Sequence, residues 1–210
     1  MTAELRLAVL GDSLAAGTGA ARAADGLGPR LAAALTAGGV PVVAHVVAVP
    51  GAVSPGLDPQ VVRALAAGPD VALVVVGGND LIRGVAAADS VAHLRRAVVD
   101  LRGAGADVVV VPVPDLSVVA HVPAGLRDLV RTASSALRAA QSSAVLAAGG
   151  RVVDPSPATT ARFGADAGLF SADRFHPSSA GYAVLAADLL PVLQELVTAR
   201  RDAREAGGGD

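Results

Sequence analysis

The stretch Val71-Ala72-Leu73-Val74-Val75-Val76-Gly77-Gly78-Asn79-Asp80 decides the fold: an unbroken apolar run, then two glycines, then two polar residues. A run with no polar alternation is what a strand covered on both faces requires, and such strands belong to parallel sheets. Working outward, similar runs occur at Leu5–Leu10, Val42–Val49 and Val108–Val113, with a weaker one at Arg151–Asp154. Between them lie Ala, Leu and Arg segments with helical spacing, at about Gly28–Ala37, Gln60–Ala67, Ser90–Gly103 and Leu126–Ala148, and a last one at Ser179–Arg201. Parallel neighbours need a crossover, and crossovers are right-handed, so the alternation predicts a three-layer α/β/α sandwich around a central five-stranded parallel sheet.

Glycine pairs or Gly-Pro steps at Gly38-Gly39, Gly68-Pro69, Gly103 with Gly105, and Gly149-Gly150 are read as helix stops before the next strand. Pro191 is expected to bend the final helix. No internal repeat and no domain-sized linker interrupts the chain, so residues 1–199 read as a single domain. The tail 200–210 turns charged and then Gly-rich, and is expected to be frayed or disordered. Pro155–Phe175 has no clear period and reads as a long loop of the kind that carries function.

Composition narrows the function classes. The chain has 210 residues, 52% of them hydrophobic and only 2% aromatic, so its core must be closed by small side chains. Seventeen Lys and Arg face 19 Asp and Glu, leaving no basic excess for a nucleic-acid partner. The absence of Cys excludes disulfides, thiolate metal sites and cysteine nucleophiles. The histidines are dispersed, and the carboxylates lack ligand spacing, so no metal is expected. Gly17-Thr18-Gly19 does not continue into a phosphate-binding pattern, and no nucleotide cofactor is implied. The first apolar run is too short for a signal segment or a membrane span, so the reading is a cytoplasmic protein with no membrane span.

Ligands of an open parallel sheet bind beyond the carboxyl ends of its strands, which directs attention to the polar residues after each Val run. Three such places are Gly11-Asp12-Ser13-Leu14, Pro50-Gly51-Ala52 and Gly77-Gly78-Asn79-Asp80. A fourth, Asp173-Arg174-Phe175-His176, leads into the last helix. Serine becomes a nucleophile only with a base within reach, a carboxylate orienting that base, and donors for the developing oxyanion. Together the four places contain all these parts. The α/β-hydrolase elbow G-x-S-x-G is not present, because Ala15 stands two residues after Ser13.

In these blocks the sequence resembles the GDSL/SGNH hydrolase family: Gly11-Asp12-Ser13-Leu14 with Gly17, then Gly51, then Gly77-x-Asn79-Asp80, and Asp173-x-x-His176. They stand in family order and span residues 11 to 176. The resemblance implies a flavodoxin-like SGNH fold and a serine esterase acting on a small-molecule ester. Ser13 would be the nucleophile, His176 the general base and Asp173 its orienting acid. The oxyanion hole would combine the Ser13 and Gly51 N–H groups with the Asn79 amide. Relatives often carry Asn before the second-block Gly and Thr after it, where this chain has Val46 and Val53. Asp80 is read as structural, and His121, in the loop after the fourth strand, as a residue that can touch substrate. Leu14, Leu81, Ile82, Leu169 and Phe170 are the pocket candidates, and their small number argues for a short O-acyl or O-acetyl group. The alternatives are acyl transfer through the same acyl-enzyme and a non-catalytic binding domain on this fold, with the oligomeric state left open.

Overall fold

A computed structural model describes residues 4–119 and 121–207. Five parallel strands, β1 (Leu5–Gly11), β2 (Val42–Val46), β3 (Val71–Val75), β4 (Asp107–Val111) and β5 (Arg151–Val152), form one sheet in the order β2-β1-β3-β4-β5. Register runs Leu7 to Ala44 and to Val71, then Leu73 to Val109, then Val109 to Arg151. The helices are α1 (Ser13–Ala16), α2 (Leu27–Ala37), α3 (Leu57–Ala66), α4 (Gly78–Arg83), α5 (Ala87–Gly103), α6 (Arg127–Ala147), α7 (Pro157–Ala165) and α8 (Ser179–Gly207).

Alternate residues of the central strands enter two separate cores. Leu7, Val9, Leu73, Val75 and Val109 meet Leu27, Leu31 and Leu35 of α2 and Tyr182, Leu193 and Val197 of α8. Ala8, Leu10, Ala72, Val74 and Val110 meet Val61 of α3, Leu94 and Val98 of α5, and Val145 of α6. The expected three layers are therefore present. Each fully buried Leu or Val contributes roughly 1.5–3 kcal/mol over an exposed one, so both helical layers are firmly attached.

Several boundaries move for identifiable reasons. The second run was expected to continue to Val49, but β2 ends at Val46, and the N–H groups of Val47 and Ala48 both turn to the Val9 carbonyl. The fourth run was expected to reach Val113. Pro112 can donate nothing to a ladder, and the Val113 N–H goes to the side chain of Gln141, so β4 stops at Val111. Pro155–Phe175, expected as a loop, contains α7. Ser156 caps that helix through Thr159 N (3.1 Å) and Pro157 opens it, but too few apolar residues follow to show a helical period.

The tail expectation is corrected as far as Gly207, because α8 continues there without a break at Pro191. Arg200 pairs with Asp107 (Nε to Oδ2 2.7 Å) and Arg204 pairs with Asp70, which ties the last turns to the amino ends of β3 and β4. Residues 208–210 lie outside the described residues. By length and composition α8 is apolar enough to cross a membrane; here Tyr182, Leu189, Leu193 and Val197 are buried against the sheet.

Candidate active site

The carboxyl end of β1 is clamped before any reactive residue is reached. Gln60, fully buried in α3, accepts from Gly11 N (2.7 Å) and donates to Gly11 O (2.9 Å). Gly11 has φ +130°, and a Cβ there would fall 1.8 Å from the Val75 carbonyl oxygen, so only glycine lets β1 turn out this close to β3. Asp12 N then donates to that same carbonyl (3.0 Å). The Asp12 carboxylate caps α1 through Leu14 N (3.0 Å), which presents Ser13 as the first helical residue. Burial, opposed by the Leu14 N–H and reinforced by the charge of Asp80, pushes the Asp12 carboxyl up to about 6.

The facing group comes from the loop before α8. Phe170 and Pro177 form an antiparallel bridge, and Ser171 N donates to His176 O (2.7 Å), which closes the loop between them. Inside it, Asp173 Oδ1 accepts from Ser171 Oγ (2.7 Å), Phe175 N (2.8 Å) and His176 N (2.9 Å). Its other oxygen lies 2.6 Å from His176 Nδ1. These bonds, the one to His176 foremost, hold the Asp173 carboxyl well below the usual carboxylate range. On the far side of the ring, His176 Nε2 lies 2.9 Å from Ser13 Oγ. Residues 163 positions apart in sequence thus meet to complete an unbroken relay Ser13–His176–Asp173. Tyr182, buried at the start of α8, donates to Thr18 O (2.8 Å) and ties the loop after Ser13 to the element that carries His176.

The second and third blocks are fastened to each other. Asn79 Nδ2 donates to Ala52 O (3.1 Å), which uses one of the two amide hydrogens, and buried Asp80 accepts from Ser54 N at 3.0 and 3.1 Å. Asp80 therefore has the expected structural position. It also gives the Gly51 turn the polar support that Val46 and Val53 cannot offer. Gly51 sits at φ +78°, in the left-handed region that favours glycine. It does not line the cavity beside Ser13, whereas Asn79 does.

That cavity has a volume of about 320 Å³, at the low end of the range for small-molecule sites. Ser13, Asn79 and His176 lie at its floor, and its walls come from Val111–Val119 and from Thr159, Phe163, Phe170 and Phe175. Of the five pocket candidates, Leu14 and Phe170 line it; Leu81 and Ile82 do not, and Leu169 is buried in the protein. His121 is exposed and lies outside the lining. The residues that the sequence reading passes over are Phe163, Phe175 and the clamps Gln60 and Gln141. Gln141 accepts from Val113 N (2.9 Å) and donates to Val76 O (3.2 Å), fixing the ends of β3 and β4 as Gln60 fixes β1. Their signal was available: Gln60 shares the apolar stripe of Leu57, Val61 and Ala64, and Gln141 that of Leu137 and Val145.

The model of the GDSL-like lipase/acylhydrolase family matches residues 9–184, most of the chain. The chain belongs to this family. Among relatives of this GDSL-like chain is the GDSL-like esterase Rv1075c of Mycobacterium tuberculosis, 38% identical over 204 residues. The match covers 95% of this chain and 65% of Rv1075c, so the chain spans just under two thirds of the length of that relative. Among solved structures, TesA superposes with a TM-score of 0.74 at 24% identity, over 91% of this chain and 99% of TesA. The psychrotrophic esterase EstA of a Pseudoalteromonas species gives 0.73 at 16% identity, over 92% and 98%. These two likenesses establish the GDSL-family fold.

Proposed function

We propose that the protein hydrolyses carboxylic esters through an acyl-enzyme on Ser13. The observation that carries this reading is the continuous hydrogen-bonded relay from Ser13 Oγ through His176 to Asp173 at the floor of a cavity. His176 Nε2 takes the Ser13 proton as Oγ attacks the acyl carbon, and the ring then carries the charge that Asp173 stabilises. The tetrahedral oxyanion is received by the Ser13 N–H group and by the amide hydrogen that Asn79 does not spend on Ala52. Collapse expels the alcohol, which His176 protonates. Water, activated by the same ring, then attacks the acyl carbon and frees Ser13 and the acid. The esterase named among the relatives supports an ester as the bond cleaved.

The acyl group lies against the phenylalanine walls. All three phenylalanines of the chain line this one cavity, Phe163 and Phe170 in edge contact at 5.3 Å. This apolar surface extends the acyl range beyond acetyl, to short and medium chains from acetate to hexanoate. Each further methylene buried contributes about 0.8 kcal/mol until the cavity is full. A serine-directed fluorophosphonate tests the mechanism: one adduct on Ser13, with loss of p-nitrophenyl butyrate hydrolysis, is the expected result. Undiminished labelling of Ser13→Ala would remove Ser13 as nucleophile. With p-nitrophenyl esters, kcat/KM should rise from acetate to butyrate or hexanoate, and an optimum at palmitate would overturn the chain-length reading alone.

A further inference from the structure

The cavity that begins at Ser13 also includes a cation, Arg138 of α6. Its Nε donates to Val113 O (3.0 Å), and Asp154 Oδ1 stands 3.8 Å from the same nitrogen, beyond hydrogen-bond distance. Among the described residues, the two terminal nitrogens of Arg138 donate to no protein group. The other ionic groups of the lining are already engaged. Asp115 accepts from Ser117 N (2.9 Å) and lies 3.8 Å from Arg131, Asp12 caps α1, and His176 belongs to the relay.

Arg138 is anchored beyond β4, Ser13 beyond β1, and β3 lies between them. At the usual spacing of neighbouring strands, the two ends are separated by roughly 10 Å across the sheet. The lining between is largely apolar, with Val75, Val76 and Val111 on the strand ends. A guanidinium held by Nε keeps its outer edge, two parallel N–H groups, in the geometry that matches a carboxylate.

We propose that Arg138 is a specificity-determining residue that binds a carboxylate at the far end of the substrate. The preferred ester then carries an anionic terminus separated from the scissile carbonyl by an apolar spacer, as in a half-ester of a dicarboxylic acid. This rests on the ester-hydrolysis reading, which identifies the cavity as the acyl site. The long contact with Asp154 yields to the substrate carboxylate, because Asp154 is half exposed and water solvates it once released.

The test uses Ser13→Ala, in which binding is separated from turnover, and two esters of equal chain length: p-nitrophenyl hexanoate and the mono-p-nitrophenyl ester of adipic acid. By isothermal titration the adipate ester should bind about tenfold more tightly, the scale of one charge-assisted contact. The preference should shrink as salt is raised. It should disappear in Ser13→Ala/Arg138→Gln and survive in part in Ser13→Ala/Arg138→Lys. Equal or weaker binding of the adipate ester to Ser13→Ala overturns the proposal, and this result needs no Arg138 variant to fold. Failure of the wild type to hydrolyse either ester would instead overturn the ester-hydrolysis reading, while the binding ratio still decides the role of Arg138.

Discussion

The floor of the cavity and its outer wall are built by different means. At the floor, Ser13, Asn79, Asp173 and His176 each have a named hydrogen-bond partner, and the strand ends beneath them are clamped by buried glutamines. The wall along Val111–Val119 and Thr159–Phe175 is made of prolines, short 3-10 turns, the helix α7 and three aromatic rings in a chain that has almost no others. Proton transfer requires reacting atoms to be held within hydrogen-bond reach, which directional bonds provide. Recognition of an acyl group depends on apolar area, which side chains from any backbone can supply.

If this contrast is sound, changes at the floor act on turnover and changes beneath it act on stability. The largest effect is expected for His176→Ala, with kcat lowered by about 10⁴ or more and melting temperature nearly unchanged. Steady-state rates and a thermal melt on one preparation check both halves of the statement. Asn79→Ala should lower kcat by roughly 10²–10³ with little change in KM if its free amide hydrogen receives the oxyanion. A rise in KM at constant kcat would instead make Asn79 a ground-state contact. A large drop in melting temperature with kcat intact would leave only its bond to Ala52.

Beneath the floor, Gln60→Leu strands the buried Gly11 N–H and removes one of two donors to the Gly11 carbonyl, which keeps the Val49 N–H (3.1 Å). Urea denaturation should show a loss of about 1–3 kcal/mol for the stranded N–H. A neutral result would mean that β1 is held by its strand pairing alone. Asp12 sharpens the contrast from the other side. Its carboxyl is raised to about 6 by burial, so between pH 4 and 6 the folded chain holds a proton that the unfolded chain has released. Asp12 therefore lowers stability as pH rises through that window. Asp12→Asn should be the more stable protein at pH 7, by up to about 3 kcal/mol at 1.36 kcal/mol per unit, and should converge with the wild type below pH 4. Melting temperatures of the two proteins from pH 4 to 8 measure this, and parallel curves would show that the cap, not the charge, dominates at this position.

The sequence by itself determined the alternation of strands and helices, because continuous Val runs and Ala/Leu/Arg periodicity are local signals that burial on both faces imposes on each segment. It also determined the reactive candidates, since Ser13, Asn79 and the Asp173–His176 pair each stand in a compact block at the end of an element. Tertiary structure alone decided what surrounds them. Val76, Val113 and Gln141 meet only when β3, β4 and α6 are assembled, and Phe163, Phe170 and Phe175 share one cavity only because α7 and the following loop fold back over the β4 end. Leu81, Ile82 and Leu169 are near the motifs in the chain but outside the cavity lining, because sequence proximity fixes neither the direction of a side chain nor the face of the element that carries it. The fate of the tail was decided in the same way. Its composition suggested fraying, and pairing of Arg200 and Arg204 with Asp107 and Asp70, acids more than ninety positions away, keeps it helical to Gly207.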